Sequence, residues 1–215
     1  MPGTLHQFTD RIHAGRYLAR SLGVYADRPD VVILGLPRGG VPVAAEVAKA
    51  LDAPLDVLVV RKLGVPGQEE LAMGAIATGG ARVLNEDLLR ALDLDPAEME
   101  RIAAREEAEL ARREKAYRAG RAPFELHGRT VILVDDGLAT GSTMRAAVQA
   151  ARNLVAARVI AAAPVGSEQA CHELRSVADE VVCPLQPPSL QSISQWYGDF
   201  PQTPDEEVRA LLKRQ

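Results

Sequence analysis

Two adjacent acids followed by a glycine- and hydroxyl-rich stretch carry the strongest chemical signal in this chain: Val131-Ile132-Leu133-Val134-Asp135-Asp136-Gly137-Leu138-Ala139-Thr140-Gly141-Ser142-Thr143. Gly137 and Gly141 let the backbone bend so that several N–H groups face one point, and Thr140, Ser142 and Thr143 add hydroxyl donors. The apolar residues that follow at helical spacing (Met144, Ala147, Val148, Ala151, Leu154) predict a helix whose positive end reaches the same point. Such a loop is a seat for a phosphate. Asp135 and Asp136 are acceptor-only side chains at the carboxyl end of a branched apolar strand, suited to the vicinal hydroxyls of a ribose. Neighbouring strand residues point to opposite faces, so the chain must already be turning there if both are to reach one sugar. The residues therefore predict a site for a ribose 5-phosphate group; an ordinary buried strand ending in a glycine turn is the alternative. Two common phosphate motifs are excluded. A nucleoside-triphosphate P-loop needs four residues between its glycines and then a lysine, whereas three intervene here and Ser142 follows. No Gly-x-Gly-x-x-Gly spacing opens a helix anywhere in the chain.

The stretch from Asp135 to Met144 resembles the phosphoribosylpyrophosphate (PRPP) signature of the type I phosphoribosyltransferases, especially the adenine phosphoribosyltransferase version. Two further segments extend the resemblance over roughly residues 30 to 185. The buried strand Val31 to Leu36 ends at Pro37-Arg38-Gly39-Gly40 and opens into a helix carrying Val43, Ala44, Val47 and Leu51, and Arg38-Gly39-Gly40 looks like the pyrophosphate loop of xanthine-type members. A third strand, Leu55 to Val60, is expected to deliver Arg61 and Lys62 at its carboxyl end, and Arg61-Lys62-x-Gly64-x-Pro66-Gly67 again resembles the adenine enzymes. The resemblance implies transfer of the 5-phosphoribosyl group from PRPP to a nitrogen acceptor, a nucleobase first among candidates, with release of pyrophosphate. Asp135 and Asp136 would hold the ribose, residues 137 to 143 the 5-phosphate, and Arg38, Gly39, Gly40 and Arg61 the pyrophosphate, with Lys62 neutralising charge on the leaving group. Mg2+ would enter with PRPP, with Asp135 and Asp136 as candidates for direct contact. A surface ion pair is the alternative for Arg61 and Lys62.

The resemblance frays at the base. Adenine enzymes carry a glutamate where this chain has Thr78, and hypoxanthine-guanine enzymes an aspartate where it has Ala139. Glu69 and Glu70 remain as loop acids, with Glu70 the candidate proton acceptor and a solvated charge pair the alternative. A PRPP- or nucleotide-binding regulatory protein with little turnover is therefore the second reading.

Elements that must position these groups are expected as follows. Residues 5 to 22 have the spacing of an amphipathic helix. Met73 to Thr78 and Ala81 to Asn85, joined by Gly79-Gly80, read as a β-hairpin. Asp95-Pro96-Ala97-Glu98 starts a long charged helix to about Ala119, an exposed arm whose narrow stripe of Met99, Ile102, Leu110 and Tyr117 could pack on a twin chain or on the core. Strands at 159 to 163 and 180 to 183 flank a helix at 168 to 177. The order predicts an α/β type I phosphoribosyltransferase fold, a mainly parallel central sheet with helices on both faces. Residues 1 to 184 would form the core and 185 to 215 a small hood, in which Trp196, Tyr197 and Phe200 are candidates for stacking on an acceptor ring or for the hood's own core.

Composition sets limits. At 215 residues the chain is one domain with at most a small appendage. Its net charge of −4, with acids and bases mixed, argues against a dedicated nucleic-acid or anionic-membrane binder. Cys171 and Cys183 lack metal-ligand spacing and fit a reducing cytoplasm. No apolar run has the length of a membrane helix, and the amino terminus lacks a signal-peptide core, so a cytoplasmic protein is expected. A homodimer is a family expectation.

Overall fold

The structure is a computed structural model that describes residues 8–65, 68–92, 95–118, 122 and 124–213. In chain order its elements are α1 (Arg11–Ser21), β1 (Val31–Gly35), α2 (Gly40–Leu51), β2 (Leu55–Val57), β3 (Val60–Val65), β4 (Gln68–Ala77), β5 (Ala81–Leu84), α3 (Glu86–Leu92), α4 (Pro96–Arg118), β6 (Thr130–Val134), α5 (Ser142–Asn153), β7 (Arg158–Ala162), α6 (Glu168–Leu174), β8 (Glu180–Val182) and α7 (Asp205–Leu212). Five strands form a parallel sheet in the order β2-β1-β6-β7-β8. Every residue of β1 and β6 is buried, because both faces are covered, and this is why those strands read as unbroken apolar runs. Ile33, Ile132 and Ile160 face one core layer with α1, α2, α4 and α7; Val32, Leu34, Val131 and Leu133 face the other with α5 and α6. The register sets Gly35 level with Val134, and Val134 level with Ala162. The loops leaving these strands therefore emerge side by side at one edge of the sheet, where ligands bind in open α/β folds.

The expected strand from Leu55 to Val60 is two strands. β2 ends at Val57, Leu58 N–H donates to the Gly35 carbonyl, and the chain crosses into a second, antiparallel sheet of order β3-β4-β5. Arg61 and Lys62 consequently lie within β3 rather than beyond a strand end. Buried polar groups fix this crossing. Asp56, 5% exposed, accepts from Val57 N–H, Phe124 N–H and the Arg118 guanidinium, and Thr78 Oγ1 accepts from Val59 N–H at 2.9 Å. Replacing Arg118 by Met would leave Asp56 buried and short of its counter-charge. A loss of about 3–5 kcal/mol in urea unfolding is expected, and a change below about 1 kcal/mol would show that the pair does not hold the crossing.

The β4–β5 hairpin forms with Ala77 opposite Ala81, but its connection is the three residues Thr78-Gly79-Gly80, and β4 begins earlier, at Gln68. Both glycines have positive φ, near 80°, the conformation the turn requires. Pro66 and Gly67, expected in a closing loop, lie outside the described residues, while Gly64 is within β3. The short helix α3 was not expected.

Helix α4 starts as the sequence indicated, with Asp95 Oδ1 accepting from Ala97 N–H. Its narrow apolar stripe docks on the core, with Leu110 and Tyr117 buried and Met99 and Ile102 packed against it, while its charged face stays exposed. Ala103, Glu106, Leu110 and Tyr117 are buried where it packs on β3 and α7, and ion pairs from Glu106 to Arg61 and from Glu100 and Glu107 to Arg82 tie it to the antiparallel sheet. Helix α1 begins at Arg11, later than expected, because Asp10 caps it by accepting from His13 N–H at 2.7 Å. The preceding Phe8 instead bridges to Tyr197, joining a cluster with Ala14, Val165 and Trp196 that roofs the sheet edge. Val208 and Leu212 of α7 return to the main core. Among the described residues no helix is long and apolar enough to cross a membrane.

Candidate active site

The loop between β6 and α5 is pinned from beneath. Leu138 is buried, its N–H donates to Val165 O, its carbonyl accepts from Ser167 N–H at 2.8 Å, and Ser167 Oγ donates to Ala139 O at 2.8 Å. Gly141, at φ 71°, makes the left-handed turn into α5, and no side chain caps that helix from the Gly141 position. Residues 137–144 with Asp135 and the exposed residue Lys62 line a cavity of about 140 Å³. A helix N-terminus, a bent glycine backbone, hydroxyls and one ammonium around a small void are the parts of an anion site. A larger depression, about 860 Å³ against α2 and the outer edge of β2, contains none of the motif residues.

Asp135 and Asp136 stand where the chain turns out of the sheet. Asp135 N–H still donates to Ala162 O, while its Oδ1 accepts from Asp136 N–H at 2.9 Å. Asp135 lines the cavity, while Asp136 turns its carboxylate to Arg11. Burial, then the charge of Asp136, pushes Asp135 well above the usual carboxylate range; burial also raises Asp136, against the opposing pull of Arg11, whose Nε donates to Asp136 Oδ2 at 2.9 Å. The β1–α2 loop presses directly on this pair. A Cβ on Gly39 would sit 2.0 Å from Asp136 Oδ2, and one on Gly40 would sit 2.5 Å from Val134 O and 2.9 Å from Asp135 Cα. The Pro37–Arg38 peptide in this loop is cis.

Residues 5–198 match the phosphoribosyl transferase domain family. The chain belongs to the type I phosphoribosyltransferase family. A Mycobacterium tuberculosis protein provisionally named a phosphoribosyl transferase, Rv0571c in strain H37Rv and MT0597 in strain CDC 1551, is 51% identical over 96% of this chain. The match covers 46% of that protein, so the chain spans about half the length of the curated relatives it matches. The crystal structure of TT1426 from Thermus thermophilus is 43% identical, with a TM-score of 0.87 over 97% of this chain and 98% of that one. The expected fold is thus the observed one.

Within this phosphoribosyltransferase framework the structure brings together Lys62, Asp135, Asp136, Gly137, Leu138, Ala139, Thr140, Gly141, Ser142 and Thr143, with Gly39 and Gly40 against the acids. It does not bring Arg61 to the loop. Alternate residues of β3 face opposite ways, so while Lys62 lines the cavity, Arg61 donates to the buried carboxylate of Glu106. Arg38 points towards α7, 3.9 Å from Asp205, whose carboxylate also accepts from the Tyr117 hydroxyl. Thr78, at the position of the adenine-type glutamate, is a buried pin of the β2–β3 crossing and no part of the cavity. The side chains of Glu69 and Glu70 lie outside the described residues.

The hood rings are not free for stacking. Trp196 is 7% and Tyr197 4% exposed, packed with Phe8, and the Tyr197 hydroxyl donates to the Asp136 carbonyl at 2.6 Å. They form the hood's own core because apolar surface from Phe8 and Val165 reaches them from distant parts of the chain. Ile193 is laid on the β6–α5 loop: a Cβ on Gly137 would meet its Cγ2 at 2.5 Å. Sequence reasoning missed Ile193 and Arg11. Arg11 lies off the apolar stripe of α1 and finds its partner 125 residues away, so no local pattern marked it.

Proposed function

We propose that the protein transfers the 5-phosphoribosyl group of PRPP to a nitrogen acceptor, a nucleobase being the first class to test, and releases pyrophosphate. The observation that carries this reading is the convergence at one sheet edge of the anion cavity, the two acids and the glycine pair of the β1–α2 loop. The cavity takes the 5-phosphate. Asp135 and Asp136 accept hydrogen bonds from the two ribose hydroxyls, which orients C1 towards the β1–α2 loop, the side on which pyrophosphate would lie. Lys62, on the opposite wall, supplies positive charge as the C1–oxygen bond lengthens and pyrophosphate leaves; the ring then carries oxocarbenium character and the acceptor nitrogen closes on C1 from the other face. Two adjacent carboxyl groups beside the Arg11 guanidinium offer hard oxygen donors, which fits Mg2+; bound with PRPP, the ion would neutralise pyrophosphate charge.

The test is calorimetric titration of PRPP with Mg2+, followed by a nucleobase panel assayed for pyrophosphate release. Binding with release for one base supports the transferase and names its acceptor; absence of PRPP binding overturns the reading. A second reading, a PRPP- or nucleotide-binding regulator with little turnover, is favoured by one set of contacts: Arg61 and Arg38 are engaged by Glu106 and Asp205, and Thr78 is buried in a structural role. Binding without release for any base supports it.

Lys62 separates the two readings further. Lys62→Met is expected to lower the rate of pyrophosphate release about 100-fold while changing the KM for PRPP only a few-fold. An unchanged kcat would remove Lys62 from leaving-group stabilisation.

A further inference from the structure

We infer that Arg11 is a positioning residue of the ribose site, the strut through which the hood sets the orientation of Asp136; the inference rests on the phosphoribosyl reading above. Arg11 is the first residue of α1, and its side chain is only 11% exposed. Its guanidinium has three engagements. Nε donates to Asp136 Oδ2 at 2.9 Å, Nη1 donates to the Pro201 carbonyl at 2.7 Å, and the plane lies 3.8 Å over the Phe200 ring. The β1–α2 loop lies close to the same group, since a Cβ on Gly39 would approach Nη2 at 3.3 Å. One planar cation thus meets α1, the β1–α2 loop, the ribose acid and the hood.

Asp136 is consequently held at both ends by the hood. Its backbone carbonyl accepts from Tyr197, its carboxylate is fixed by Arg11, and the two anchors are joined by the contact of Tyr197 with Phe200, ring centroids 4.7 Å apart. With Oδ2 bonded to Arg11, the carboxylate is held in one preferred orientation, and Oδ1 is the oxygen left for a ribose hydroxyl. An aspartate free to sample its rotamers would lose that orientation on binding the sugar; holding it beforehand removes the cost. The device needs a fork of donors on a flat, weakly hydrated plane, which Arg provides and Lys does not. The guanidinium is taken up by Asp136, Pro201 and Phe200, so the proposed route for its effect is through Asp136.

That dependence is the test. PRPP affinity and steady-state constants are measured for the wild type, Arg11→Met, Arg11→Lys, Asp136→Asn and the Arg11→Met/Asp136→Asn pair, each beside a thermal unfolding curve. Arg11→Met should weaken PRPP binding on the order of tenfold or more in the wild-type background, and less than about threefold once Asp136 is Asn, the non-additivity expected of residues acting through one another. Arg11→Lys should recover part of the affinity, and Phe200→Ala, which removes the surface under the guanidinium, should shift PRPP affinity in the same direction as Arg11→Met but less. A purely structural ion pair would instead lower the unfolding temperature of Arg11→Met where Asp136 is present and leave PRPP affinity alone. Should Arg11→Met fail to fold, Arg11→Lys carries the measurement: a raised KM at an unchanged unfolding temperature supports the strut, and an unchanged KM overturns it. Additive losses in the paired variants also overturn it. If the wild type itself does not bind PRPP, the functional reading falls and the strut falls with it; if the wild type binds and Arg11 variants bind equally, the strut alone is lost.

Discussion

Replacing Asp135 and Asp136 together by asparagine is expected to abolish PRPP binding and, in the same protein, to raise its unfolding temperature near neutral pH. The first effect follows from the assigned role. Two carboxylates that accept from ribose hydroxyls make charge-assisted hydrogen bonds worth about 1.5–3 kcal/mol each, so their loss should weaken binding by at least about 100-fold. The second follows from the folded chain alone. Burial raises both acids above their ordinary range, and for Asp135 the neighbouring carboxylate adds to it. An acid whose folded value exceeds its unfolded value holds its proton more tightly when folded. The pair's contribution to stability is therefore greatest below the usual carboxylate range and declines as pH rises through the folded values. Asparagines carry no such penalty and do not titrate in this window. The unfolding temperature of the variant should exceed that of the wild type by a margin that widens from pH 4 towards pH 8. Unchanged PRPP affinity would refute the ribose role, and a lower unfolding temperature at pH 8 would show that the acids stabilise the unliganded fold.

The adjacent glycines of the β1–α2 loop should fail in different ways. At Gly40 the atoms a Cβ would strike are main chain, Val134 O at 2.5 Å and Asp135 Cα at 2.9 Å, and neither can move without parting the ends of β1 and β6. Gly40→Ala is expected to destabilise by about 2–3 kcal/mol, which for a chain of this size lowers the unfolding temperature by about 5–10 °C. At Gly39 the clash at 2.0 Å is with the Asp136 carboxylate, a side chain that can swing away. Gly39→Ala should therefore fold nearly as well as the wild type and lose PRPP affinity, because the swing takes Asp136 from both Arg11 and the sugar. Calorimetry beside urea unfolding separates the two. Wild-type PRPP affinity in Gly39→Ala would mean that the orientation of Asp136 does not matter to binding, and full stability in Gly40→Ala would mean that the loop has room the close approach denies.

Much of this was legible in the sequence where the physics is local. A strand buried on both faces of a parallel sheet must be apolar at every position, so Val31 to Leu36 and Val131 to Val134 announced themselves without any partner in view. The start of α4 was written in Asp95 and Pro96, because a cap and a first-turn proline act within a few residues. The β6–α5 loop was readable for the same reason: its acids, glycines and hydroxyls are neighbours in the chain. The rest depended on contacts between distant segments. Leu55 to Val60 is apolar but for Asp56 and gave no sign of dividing between two sheets; Asp56 and Thr78 divide it through Arg118 and the Val59 amide. Arg61 and Lys62 are equal cations in sequence, and only the two faces of β3, one towards Glu106 and one towards the loop, give them different work. Trp196 and Tyr197 could stack on a ligand or on each other's surroundings until Phe8, nearly two hundred residues earlier, closed over them. Arg11 was one charge among several on a helix. Apolar periodicity records whether a residue is buried, whereas ion pairs, ring packing and the strut on Asp136 depend on which surfaces meet, and the folded chain alone decides that.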